Sequence, residues 1–178
     1  MTYPSLPDVA QAMGVPPPSL AMLRPGATAV EAIRVLLDDG QPGTALRLLA
    51  GWLPRGYVVP WACQCARDGE LSALDAEGLT LTGTWLRHRR ETDRSSALAF
   101  AMRHTFVGIG PMLAASAGWS SGDLTDAAGK RIGPVPPPLM PRMAVGAVLL
   151  AAASSPVFAS CCRAFAEAGL TLLPTEES

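Results

Sequence analysis

The apolar positions of this chain recur at helical spacing almost from end to end. Thr28-Ala29-Val30-Glu31 has the spacing of a capping box, in which each side chain bonds the other's backbone amide. The helix it starts runs to Asp39, where Gly40 stops it. Ala29, Ile33, Leu36 and Leu37 form its apolar side, and Glu31, Arg34 and Asp38 lie on the other. Pro42 opens the next helix, which reaches Leu53 with Leu46, Leu49, Trp52 and Leu53 on one stripe. A joint this short predicts an antiparallel helical hairpin. After the break at Leu53-Pro54-Arg55-Gly56, the pattern predicts helices from Val58 to Arg67, from Ser72 or Asp75 to Arg90, from Ser95 to His104, and from Pro111 to Gly118. Pro60 fits only a first turn, where its missing amide has no intrahelical partner. Asp93 reads as the cap of the Ser95 helix. Residues 119–138 read as loop, with no strand alternation. Leu139–Ala153 and Pro156–Ala168 form the last pair, with Gly169 as the stop.

Residues 143–162 carry no charge, and that length raises the question of a membrane span. Ser154-Ser155-Pro156 interrupts the run, with Ser155 suited to an N-cap and Pro156 to a first helical position. Much of the stretch is also Ala, Gly, Ser or Cys rather than Leu, Ile or Phe. The prediction is two buried helices meeting at a corner, and no membrane span.

Residues 1–27 are rich in proline, including Pro16-Pro17-Pro18, and read as an extended arm over the domain surface with at most one short helix, from Pro7 to Met13. The expected organisation is this arm, a helical domain over residues 28–170, and a frayed tail over 171–178. The fold class is all-α: a single compact bundle of about seven or eight helices arranged as antiparallel hairpins. Asp39-Gly40 and Asp68-Gly69 recur, but their flanks do not match and establish no repeat.

Charged residues make up 16% of the chain against 49% apolar. Either the core is large or a partner covers part of the surface. A net charge of −1 gives no electrostatic reason to expect nucleic acid or an acidic membrane. The first residues lack a basic start and an apolar run, so the chain is expected in the cytoplasm with its thiols reduced.

The candidate chemistry is thin. Cys63, Cys65, Cys161, Cys162, His88 and His104 could be drawn as a metal site, but helix positions two apart face nearly opposite ways, and no Cys-x-x-Cys pair exists. A Cys–His nucleophile is equally disfavoured, because Trp61-Ala62-Cys63-Gln64-Cys65-Ala66 is an apolar setting that raises a thiol's pKa. Gly108-Ile109-Gly110-Pro111 lacks the preceding strand and third glycine of a dinucleotide fingerprint. Asp123 and Asp126 are loop acids without a catalytic partner. Arg87-His88-Arg89-Arg90, with Arg94 and Arg103, is the basic cluster. It reads as a solvated helix end favoured by the dipole rather than a nucleic-acid patch, and an acidic docking surface on a partner protein fits it equally well. Trp52, Trp61, Trp85 and Trp119 are core residues or partner anchors.

Three segments together resemble a known family. They are Leu53-Pro54-Arg55 followed by Trp61-Ala62-Cys63; Trp119-Ser120-Ser121-Gly122-Asp123-Leu124; and Pro136-Pro137-Pro138 followed by Arg142-Met143-Ala144-Val145-Gly146-Ala147-Val148. The chain is similar, over residues 28–168, to an uncharacterised family of small helical bacterial proteins often encoded among type VI secretion genes, near spike and effector genes. Typical members carry Arg-Glu-Ala-Val-Trp-Trp-Ala-Cys in the first segment. This chain departs from that pattern with Gly56 at the acidic position and Pro60 in place of one Trp. The resemblance implies an accessory role and supplies no catalytic residues.

The expected function is therefore a non-enzymatic protein-binding accessory factor, an adaptor or chaperone for a type VI secretion effector or spike module. The alternative is a secreted effector or its immunity protein. No cofactor and no metal are expected. The expected partner is another protein, and a homo-oligomer is left open. The surface expected to bind is the Leu53–Trp61 corner with the Trp119–Pro138 loop, through Pro54, Arg55, Tyr57, Trp61, Trp119, Pro136 and Pro137, where proline or glycine presets the backbone beside aromatic rings.

Overall fold

The computed structural model describes residues 5–126 and 128–174. Among them are ten helices and one two-stranded hairpin. Helices α3 (Ala29–Asp38), α4 (Pro42–Trp52), α5 (Arg55–Arg67), α6 (Ala73–His88), α7 (Glu91–Arg103), α8 (Ile109–Gly118), α9 (Leu139–Ala153) and α10 (Phe158–Leu170) make the all-α body. Two further helices, α1 (Leu6–Ala12) and α2 (Pro17–Ala21), lie in the proline-rich segment; α1 falls where one short helix was allowed, from Pro7 to Met13, and α2 lies where extended chain was expected. Ser5 and Asp8 form a complete capping box at α1, and Pro17 opens α2. The segment is not a mere covering: Val9, Ala10, Met13 and Val15 join the same buried cluster as the body. Thr175–Ser178, half of the tail expected to fray, lie outside the described residues.

Helix α8 is the hub. It packs on α6, α7 and α9, and every residue in it but Met112 is buried. Small residues permit this. Gly110 lies against Asp75 of α6, and its amide donates to Asp75 Oδ1 at 2.8 Å. Helix α9 in turn packs on α4, α5 and α10. The uncharged run does bend: α9 ends at Ala153 and α10 begins at Phe158. The bend differs in detail from the expected cap. Ser155 Oγ accepts from the Val157 amide at 3.2 Å, so the Ser-Pro pair makes the turn and Val157 stands at the N-cap. Among the described residues, no helix is long and apolar enough to cross a membrane.

Several other boundaries move. Helix α5 begins at Arg55, three residues before the predicted Val58, which places Pro60 inside the helix. Pro60 has no amide to give the Gly56 carbonyl, but Gly56 is exposed, so water can serve it, and its lack of a Cβ eases the ring's approach. Asp93 does not cap α7. The helix starts two residues before it, with Arg90 at the N-cap and no side-chain bond, and Asp93 faces His88 instead. The stretch read as loop holds strands β1 (Asp123–Thr125) and β2 (Arg131–Pro134), paired antiparallel. Asp126 builds their turn by accepting from the amides of Ala128 and Lys130.

Candidate functional site

Arg55 organises the surface where the predicted segments meet. It is the first residue of α5, set there because Leu53 and Pro54 adopt extended backbone that ends α4. From that corner its guanidinium donates to the Ser120 carbonyl and to the Pro137 carbonyl, both at 3.1 Å. One side chain thus joins the α4–α5 corner to both ends of the 119–138 segment. Arg94 grips the same turn from the other side, donating to the Gly118 carbonyl and, at 3.1 Å, to the Ser121 carbonyl. Glu91 holds Arg94 through both carboxylate oxygens and is itself held below the usual carboxylate range, mainly by that hydrogen bond.

Beside Arg55 lies a groove of about 650 Å³. Its walls are Val9 and Ala12 of α1 with its C-cap Met13, Ala50–Trp52 of α4 with its C-cap Leu53, Val58 of α5, and Pro137, Pro138, Met140 and Pro141 at the start of α9. The Arg142 guanidinium ties the start of α9 to the end of α1 by donating to the Ala12 carbonyl at 2.7 Å. The lining is almost wholly apolar, with Asp8 and Arg55 as its charged residues. Such a surface can hold apolar side chains and offers no paired acid and base for a reaction.

The structure brings together only part of the expected set. Pro54, Arg55 and Pro137 line the groove. Pro136 is exposed beside it, and Tyr57, 51% exposed, stands on the same corner outside the groove. Trp61 belongs to the core: it is 3% exposed and donates its indole N–H to the Phe165 carbonyl at 3.0 Å. Trp119 is half-buried and stacks on Phe106 with ring centroids 4.9 Å apart. The wall supplied by α1 was missed. Its signal was Ser5-Leu6-Pro7-Asp8, whose spacing is that of a capping box.

The remaining candidates form no common site. Burial pushes the Cys63 thiol up to about 12 and the Cys162 thiol to about 11, and it also raises Cys65 and Cys161. Such thiols are poor nucleophiles. His88 faces Asp93 at 3.2 Å, while His104, at the other end of α7, packs against Phe100. No group of three or more metal-type side chains occurs among the described residues. Asp123 pairs with Arg131 across the hairpin at 2.7 Å.

No curated protein and no solved structure matches the chain. A family model matches residues 32–173, most of the sequence, and the chain therefore belongs to the family of unknown function DUF6931.

Proposed function

We propose that this chain is a non-enzymatic accessory factor that binds another protein, as an adaptor or chaperone of a type VI secretion effector or spike component. The observation that carries the binding role is the apolar groove beside Arg55, lined by α1, the α4–α5 corner and the Pro137–Pro141 segment. Its residues are drawn from segments far apart in the chain and held together by main-chain carbonyl bonds to Arg55 and Arg142. The protonated, buried thiols and the scattered imidazoles support the non-enzymatic part. The secretion link rests on the resemblance carried by the Leu53-Pro54-Arg55, Trp119–Leu124 and Arg142–Val148 segments.

The test is co-expression with each spike and effector product encoded beside the gene, followed by purification. A stoichiometric complex with one of them is expected. Ala12→Arg fills the groove with a long side chain at a helix end that favours cations, so the variant should fold and lose the partner. A chain that purifies alone beside every neighbour product overturns the proposal, and so does a complex that tolerates the plugged groove. Growth arrest on expressing the chain by itself would make it an effector instead.

A further inference from the structure

The corner between α6 and α7 concentrates positive charge that its surroundings do not neutralise. Arg87, Arg89 and Arg90 are all exposed, and among the described residues none of them has a carboxylate partner. The nearby acids are engaged elsewhere: Glu91 by Arg94 at 2.5 Å, Asp93 by His88 at 3.2 Å. Arg87 reaches only the Thr84 hydroxyl, at 3.3 Å. Arg89 lies over the Trp85 ring, 4.4 Å from its centroid, which orients the guanidinium plane.

Local stability accounts for only part of this set. A cation is favoured in the last turn of a helix, which covers Arg87. Arg90, however, stands at the N-cap of α7, where the helix dipole opposes a cation. Arg89 has φ 54°, a left-handed conformation that an L side chain adopts at a cost. Both positions work against their own backbone while presenting charge outward.

We infer that the α6–α7 corner, through Arg87, Arg89 and Arg90, is a docking surface for an acidic segment of a protein partner. A carboxylate-rich stretch supplies the counter-charge these three guanidinium groups lack, and planar guanidinium groups match carboxylates in bidentate geometry. The patch suits a short acidic segment better than a nucleic acid. Glu91 and Asp93 interrupt it, the chain as a whole has net charge −1, and the one aromatic ring present, Trp85, is buried beneath Arg89. The Gly118–Ser121 turn, gripped by Arg94 of α7 and by Arg55, connects this corner to the apolar groove. The inference nevertheless rests on the arginines alone.

The experiment measures binding of a fluorescently labelled polyglutamate peptide to the full chain by anisotropy, beside a labelled single-stranded oligothymidylate. The expected result is binding of the peptide that weakens severalfold between low salt and about 0.2 M salt. Reversing the patch with R87E/R89E/R90E should weaken it at least tenfold. Arg87→Gln and Arg90→Gln, which leave the Arg89–Trp85 contact in place, keep the test usable if the triple variant misfolds. Each should cost about threefold at low salt. Arg24→Glu, remote in sequence in the connection between α2 and α3, and the groove variant Ala12→Arg should bind the peptide as the parent does. No peptide binding, binding unchanged by the arginine variants, or tighter binding of the oligonucleotide through the same arginines would each overturn the inference.

Discussion

The α6–α8 crossing and the α1–α4 crossing both turn on glycine, yet they answer to different physics. Where α6 meets α8, backbone lies on backbone. A methyl group added at Gly78 would fall on the main chain of Gly110, and one added at Gly110 would lie 2.6 Å from Asp75 Cα. Neither helix can yield without moving as a whole, and α8 is also fixed by α5, α7 and α9. Where α1 meets α4, a methyl group at Gly51 would instead meet the side chains of Met13 and Val9, the latter at 2.8 Å. Methionine has the freedom to turn away, and α1 is a short helix held by its capping box and by Arg142. One crossing is a rigid hub, and the other is an adjustable wall of the groove.

The comparison can be broken by measurement, beginning with the largest effect. Gly78→Ala should cost about 3 kcal/mol or more in denaturant titration, since overpacking here has no side chain to displace. A variant of near-parental stability would refute the rigid hub. Trp61→Phe should cost about 1–2 kcal/mol, because it removes the indole bond to the Phe165 carbonyl between α5 and α10 while keeping most of the buried ring. Gly51→Ala should cost only about 1 kcal/mol, with faster proteolysis around Gly14 as α1 shifts outward. A loss equal to that of Gly78→Ala would erase the distinction between the two crossings. Ala12→Arg should change the unfolding midpoint least, within about 0.5 kcal/mol, because its side chain enters open groove.

The buried thiols add a pH dependence. In the folded chain Cys63 is pushed up to about 12 and Cys162 to about 11 by burial, whereas unfolded thiols titrate near 8.5. Above that value the unfolded state loses thiol protons that the folded state keeps. The contribution is therefore complete below about pH 8.5 and is lost as pH climbs through the folded values. Urea midpoints should fall between about pH 8 and about pH 10, and Cys63→Ala with Cys162→Ala should make that decline shallower, Cys65 and Cys161 supplying the rest. A parent protein with a level profile over this range would contradict the burial of the thiols.

What could be read from residue order alone was local. The Thr28–Glu31 capping box and the Pro42 helix start are present where spacing placed them. Of the two starts left open for α6, Ser72 and Asp75, Ser72 is the cap, its hydroxyl accepting from the Asp75 amide at 3.1 Å. The two short strands were invisible because three or four residues cannot display alternation, and they are held by Asp126 and the Asp123–Arg131 pair rather than by burial. Proline weighting also misled. It made Pro16-Pro17-Pro18 look extended, although proline at the start of a helix is favourable, and it delayed the start of α5. Of the candidate site, Pro54, Arg55 and Pro137 were legible as an exposed corner and loop. The α1 wall was not, because a groove wall is defined by what faces it.

The amino-acid order by itself determined the all-α class, the starts of α3, α4, α6 and α9 and the bend at Ser154–Val157, since caps, prolines and apolar stripes act over a few residues. Tertiary structure alone decided that Arg55 would reach Ser120 and Pro137, that Trp61 would be spent on the core, and that α1 would complete a groove. Those outcomes join residues 65 and more positions apart, and a carbonyl in a distant turn has no signature in the side chain that will find it.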